Sequence, residues 1–172
     1  MSDQRLEPLA RVLGAATLAA MIMLPGAFLL AAFLAPETLS PIGLPVAPGV
    51  SAAEWWGAVL IGLIPGTAML WTFHVLRGLF RAYAAGEVLS PANAARIGLI
   101  GRGILLVAAS SLLIRPIQSV LLTLSNPEGQ RQVTITVSSN DLALLLAGGV
   151  FIAIGFAMRE AARADAENKA FV

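Results

Sequence analysis

RGLFRAYAAGEVLSPANAARIGLIGR, residues 77–102, is a short basic connection set between two long apolar runs. Its first half has helical composition, with Leu76, Leu79, Phe80 and Tyr83 spaced along one face and Arg77 and Arg81 an i,i+4 pair on another. Gly86 is a natural stop for that helix, because glycine enters the left-handed conformation that closes a helix without steric cost. Ser90-Pro91 then reads as a fresh start, serine accepting at the N-cap and proline preset for the first helical position. The pattern is a helical hairpin with a tight turn, ringed by Arg77, Arg81, Arg96 and Arg102.

Outward from this turn, apolar runs occupy about 12–34, 56–76, 97–114 (a span that extends to about 124) and 142–158. A helix needs about 20 apolar residues to cross a ~30 Å hydrocarbon core, so four transmembrane spans are expected. Nine of the eleven Lys and Arg residues fall on one side of that pattern. Arg5 and Arg11 precede the first run, four arginines surround the 77–96 connection, and Arg159, Arg163 and Lys169 follow the last run. Basic loops stay cytoplasmic, which predicts both termini and the 77–96 loop inside, with 35–54 and 125–140 outside.

Composition agrees. The chain is 58% hydrophobic and 12% charged, with mean hydropathy +0.82. A soluble domain carries roughly twice that charged fraction, at about 25%. The expected fold is an all-α integral membrane four-helix bundle, a single domain over 1–172, with a cytoplasmic tail at 159–172. The first apolar run exceeds the ~7–15-residue core of a secretory signal, so it reads as a retained span. There is no cysteine, which removes disulfides, thiolate nucleophiles and cysteine metal ligands.

Local signals fill in the connections. Pro25-Gly26 predicts a kink in the first span. PETLSPIGLPVAPGV, residues 36–50, predicts an irregular outer loop. Ser51 and Glu54 form a capping box for the second helix. Trp55 and Trp56 are expected at the outer interface, and Trp71 and Tyr83 near the inner one. Ser125 to Gly129 predicts a turn. The alternating QVTITVS, residues 132–138, favours a short strand that pairs with the first outer loop as a small cap. Ser139, Asn140 and Asp141 are expected to cap the fourth helix, and REAARADAENKAF, residues 159–171, to continue it as a charged helix or tail.

Arg115 is the main site candidate, because an ionisable residue inside a span marks function or a structural clamp. It lies 18 residues beyond Ile97, roughly 27 Å at 1.5 Å per residue, near the outer headgroups. Ser111, Arg115, Gln118 and Ser119 share a face. Glu54 and Asp141 open helices at a similar level and are its candidate partners. The constellation Arg115, Ser111, Gln118, Glu54 and Asp141 thus reads as a clamp or as the edge of a ligand pocket, with snorkelling of Arg115 to headgroups as a third reading. His74, the only histidine, is expected to serve packing or the interface. Gly62-x-x-x-Gly66 and Gly98-x-x-Gly101 permit close helix approach, within the bundle or in a homodimer. The arginines of the inner loop suit anionic lipid, an acidic partner, or topology alone.

The sequence shows no P-loop, no nucleophile elbow, no His/Cys/carboxylate cluster, no paired buried carboxylates and no mid-membrane acid. It predicts a protein that is not an enzyme, with no catalytic, cofactor-binding or metal residues and no cofactor.

Gly86, Glu87, Leu89, Ser90, Asn93, Ile97 and Gly101 in the quoted stretch, with Glu167, Phe171 and Val172 at the C-terminus, resemble the bacterial domain-of-unknown-function 2975 family of four-span membrane proteins. The likeness covers the four spans and both inner motifs; the long Pro-rich outer loop and the first 50 residues depart from it. The family has no established enzymatic activity, and its members often lie beside small helix-turn-helix regulators. The resemblance implies a bacterial inner-membrane regulatory or sensory protein that docks a cytoplasmic protein, through Arg77, Arg81, Gly86, Glu87, Ser90, Asn93, Arg159, Arg163 and Glu167, and does not itself bind nucleic acid. Two alternatives stand beside it, an accessory subunit of a larger membrane complex and a small oligomeric transporter. Lipid bilayer contact is common to all three, and a homodimer or larger complex is compatible with each.

Overall fold

The computed structural model describes residues 3–34 and 44–170 and consists of four helices. They are α1 (Asp3–Leu34), α2 (Ala52–Ala84), α3 (Pro91–Leu122) and α4 (Ser139–Ala170). Each holds a segment long and apolar enough to cross a membrane: Leu6–Leu34, Ala52–Ala84, Pro91–Leu122 and Ser139–Asp165. The chain is a multi-pass membrane protein by this measure. At 1.5 Å per residue each helix is about 48 Å long and overshoots the ~30 Å hydrocarbon core into the headgroup layers.

The helix ends follow from local chemistry. Ser51 Oγ accepts from Glu54 N at 3.3 Å, and Glu54 Oε2 accepts from Ser51 N at 2.8 Å, a reciprocal capping box. At the other end of α2, Gly86 has φ +82°. Gly86 N donates to Tyr83 O and Glu87 N to Ala82 O, the paired bonds of a Schellman stop. A side chain at Gly86 carries a left-handed penalty of about 1–2 kcal/mol. Gly86→Ala is therefore expected to lower thermal stability by about 1 kcal/mol, read as a detergent melting shift of roughly 2–4 °C; no shift would mean that the turn relaxes at no cost. Ser90 Oγ accepts from Asn93 N at 3.2 Å and starts α3.

Four prolines, Pro8, Pro25, Pro65 and Pro116, lie inside helices, and α1 runs unbroken through the Pro25-Gly26 pair. Several connections differ from the sequence reading. Among the described residues there is no strand, and 131–138 is irregular. Its backbone is held by side chains of α3's last turns instead of by a partner strand. Thr134 N donates to Ser119 Oγ at 2.9 Å and Gln132 N to Thr123 Oγ1 at 3.1 Å. Hydroxyls at a helix end thus satisfy groups that alternation had assigned to a ladder. The N-cap of α4 is Ser138, one residue earlier than the expected Ser139: Asp141 N donates to Ser138 Oγ at 3.2 Å, and Ser138 N donates to Asp141 Oδ2 at 2.8 Å. Part of the expected pairing loop, 35–43, lies outside the described residues, as do Phe171 and Val172.

Helices pack in chain order. The α2–α3 and α3–α4 interfaces are extensive, and α1 rests on α2 through a smaller one. The result is a row with α3 the most enclosed helix and α1 the least. The α3–α4 seam is made by glycine. A Cβ at Gly155 would stand 2.7 Å from Gly98 N, and one at Gly101 2.6 Å from Gly148 O. In lipid, where apolar burial gives no net drive, such close backbone approach is a main source of helix association. Of the two sequence motifs, Gly98-x-x-Gly101 is used in this way. In the other, a Cβ at Gly66 would meet nothing within 4 Å.

The remaining contacts are two apolar clusters. Leu79, Ile97 and Ile100 knit α2 and α3 near the Gly86 turn, with Phe151 and Met158 of α4 against them. Ala32, Trp55, Ala58, Val59 and Leu122 do the same near Ser51. Trp55, expected at the membrane interface, is 7% exposed and its indole N–H donates to Ala32 O at 3.1 Å. It satisfies one of the carbonyls that the end of α1 leaves open. Trp56 is the exposed member of the pair, edge-on to Phe33 with centroids 5.0 Å apart.

Candidate functional site

Two sets of polar residues lie at opposite ends of the helices. The first centres on Asp141, three residues into α4 and fully buried. Its Oδ2 receives Arg115 Nη1 at 2.8 Å, Ser138 N at 2.8 Å and Ser138 Oγ at 2.7 Å. Oδ1 is buried too and accepts no hydrogen bond among the described residues. Arg115 is 31% exposed. The pair thus joins α3 to the first turn of α4, where a carboxylate also faces the positive end of the helix dipole.

Of the two acids named as partners of Arg115, Asp141 takes that place and Glu54 does not. Glu54 Oε2 instead receives Ser125 Oγ at 2.5 Å, in addition to its capping bond, and so ties the start of α2 to the turn after α3. Gln118 crosses in the other direction, its Nε2 donating to Ala58 O of α2 at 2.9 Å. A Cβ at Gly62 would stand 2.7 Å from that nitrogen, so glycine is what lets the amide through. Ser119 is fully buried and serves the backbone of 131–138. Ser111, Arg115 and Gln118 line a cavity of about 160 Å³ between α1, α2 and α3.

The second set surrounds the Gly86 turn. Asn93 is fully buried. Its Nδ2 donates to Glu87 O at 2.5 Å and so holds the turn, and its Oδ1 accepts from Arg96 Nη1 at 2.7 Å within α3. A Cβ at Gly78 of α2 would stand 3.6 Å from Arg96 Nε, so that side chain lies across the α2–α3 seam. Arg81, Arg102 and Glu87 are exposed and Arg77 is half-buried. Arg159 stands 5.9 Å from the Phe156 ring centre, and Arg163 donates to Glu167 at 2.9 Å. Arg11 and Glu7 pair on α1. Arg77, Arg81 and Arg102 make no ion pair among the described residues.

Comparison with protein-family models, curated proteins and solved structures finds no match.

Chemically, the first set offers one charge-neutral ion pair with hydrogen-bonding groups beside an apolar cavity. The second offers positive charge on the two helices that flank a hydrogen-bonded turn. His74 is exposed on α2. No group of three or more His, Cys, Asp and Glu that could hold a metal ion occurs among the described residues. The sequence had singled out Arg115, Asp141, Gln118 and Ser111 together. It missed Ser138 and Ser125, whose roles depend on where α4 begins and on how the turn after α3 folds back. Gly148 and Gly155 were also missed, although their seven-residue spacing on one helix face was a readable signal.

Proposed function

We propose that this chain is a non-enzymatic regulatory or sensory protein of the bacterial cytoplasmic membrane. Both termini and the Gly86 turn face the cytoplasm, and the Ser51 and Ser138 ends of α2 and α4 face outward. One observation carries the reading. The Gly86 end presents Arg77 and Arg81, on the last turns of α2, without ion-pair partners among the described residues, beside a turn that Asn93 ties to α3. Cations that only set topology need no such display; a docking surface does. The partner is a cytoplasmic protein with an acidic face, and the resemblance to the 2975 family suggests a small helix-turn-helix regulator. In this arrangement Asn93 shapes the surface from beneath, while Arg77, Arg81, Glu87, Arg159 and Arg163 touch the partner.

Site-specific photo-crosslinking from position 81 in native membranes tests the proposal. One cytoplasmic protein is expected to crosslink repeatedly, and Arg77→Glu with Arg159→Glu should reduce that yield by about tenfold, as removing two or more desolvated charge contacts does. A yield unchanged by charge reversal would remove the docking role.

A second reading, an accessory subunit, is favoured by the row itself. α1 and α4 expose continuous apolar faces, among them Ile22, Met23, Leu30 and Phe33, and Leu142, Leu146, Val150 and Phe156. Native gels in a mild detergent separate the two: migration with a large membrane complex supports the subunit, migration as a small species the regulator.

A further inference from the structure

The cavity beside Arg115 is polar at one end and apolar along the rest of its length. Ser111, Arg115 and Gln118 reach it from α3, while Phe28, Val59 and Gly62 supply apolar walls from α1 and α2. Phe28 and Gly62 border both this space and a second cavity of about 250 Å³ between α1 and α2, with the Phe28 ring edge 3.6 Å from where a Gly62 Cβ would stand. That space runs by Leu24, Pro25, Leu63 and Gly66, and its one hydroxyl, Thr67 Oγ1, is turned back onto Ile64 O at 2.8 Å. A Cβ at Gly66 would meet nothing within 4 Å, so the groove is open at that position.

The polar end has unused hydrogen-bonding capacity. A guanidinium carries five N–H donors, and Arg115 spends one side-chain bond, to Asp141. Gln118 uses its nitrogen on Ala58, which leaves its oxygen as an acceptor. The Ser111 hydroxyl makes no hydrogen bond among the described residues. Position along the helices matches this polarity. Arg115 lies seven residues before the end of α3, roughly 10 Å at 1.5 Å per residue. Gly66 lies 14 residues into α2, roughly 21 Å from the same end and so near the bilayer middle. A polar level about one headgroup deep followed by an apolar groove to the midplane has the dimensions of one lipid leaflet.

We propose that this groove is a specific site for one phospholipid of the leaflet at the Ser51 end, its anionic phosphate on Arg115, Ser111 and Gln118 and an acyl chain laid along α1 and α2 past Gly66. The proposal extends the pocket reading of Arg115. It needs the membrane-spanning fold but not the docking of a partner at the opposite end, and neither test above bears on it. Asp141 supplies counter-charge to Arg115, so selectivity comes from the guanidinium's remaining donors and is modest.

Native mass spectrometry of the full chain in mild detergent tests it, with phosphatidylglycerol and phosphatidylcholine of identical chains as probes. One saturable first binding event is expected, favouring phosphatidylglycerol by about fivefold, the scale of one basic side chain at a membrane surface, and unmoved by excess inorganic phosphate. Gly66→Phe fills the groove where a side chain meets no neighbour. It should lower occupancy of both lipids by about tenfold while leaving the lipid-free melting temperature unchanged. Arg115→Gln should abolish the headgroup preference while retaining chain-dependent binding; if that variant fails to fold, Gly66→Phe still decides. Equal occupancy in wild type and Gly66→Phe, displacement by inorganic phosphate, or a spread of weak annular binding without a first site would each overturn the proposal.

Discussion

Gly155→Ala is expected to disrupt the α3–α4 interface, whereas Gly149→Ala, six residues earlier on the same helix, should leave it intact. A Cβ at Gly155 would meet Gly98 N at 2.7 Å, Gly98 Cα at 2.9 Å and Ala94 O at 3.1 Å, all of them backbone atoms. No rotamer change relieves that contact, so the helices must move apart and lose the close approach along the whole seam. Overpacking of this kind costs about 1–3 kcal/mol, and the upper end applies where only backbone can yield. Alanine's better helix propensity returns at most ~1 kcal/mol. At Gly149 a Cβ meets nothing within 4 Å, so the propensity term stands alone and the variant should be neutral or slightly stabilised. Thermal denaturation in detergent reads both. A fall of roughly 4–8 °C for Gly155→Ala beside no fall for Gly149→Ala is the expected pattern. Equal behaviour of the two would mean that the seam is not set by backbone contact.

The second large effect is expected from breaking one side of the ion pair. Arg115→Met leaves the Asp141 carboxylate buried with only Ser138 donating to it. Removing one partner of a buried pair costs about 3–5 kcal/mol, because the remaining charge stays desolvated. With Arg115 31% exposed, the lower end, about 3 kcal/mol, is appropriate. Asp141 also serves the first turn of α4, so Asp141→Ala adds the loss of a cap to the loss of the pair. Arg115→Met combined with Asp141→Asn distinguishes charge from cap. The amide keeps an oxygen for Ser138 and carries no charge, so the double variant should recover most of the stability lost in Arg115→Met. A double variant as unstable as the single one would show that the arginine acts through its packing rather than its charge.

The fold was largely readable because lipid makes simple demands. Long apolar runs, the capping box at Ser51 and Glu54, and the Gly86–Ser90 turn each act locally, and each is where its residues imply. The connection at 131–138 was misread because alternation of Val, Thr and Ile describes side-chain placement, not the partner that takes up the backbone bonds. Here Ser119 of α3 and its C-cap Thr123 take that role. Trp55 and Trp56 are adjacent and chemically identical, so sequence could not say which one is buried. The candidate site was legible as a face, since Ser111, Arg115 and Gln118 follow helical spacing. The choice between Glu54 and Asp141 was not legible, because it depends on how α2 and α4 are placed around α3. The packing order of the helices was equally hidden; nothing in four similar apolar runs says which pairs touch.

That order has a consequence for biogenesis. Because the main interfaces join each helix only to its neighbours in the chain, every span after α1 finds a contact surface already inserted when it leaves the ribosome. Such local topology favours rapid, stepwise assembly. α1, which enters first and is held by the slighter interface, is completed only when α2 arrives, and is the helix most easily detached from the finished protein.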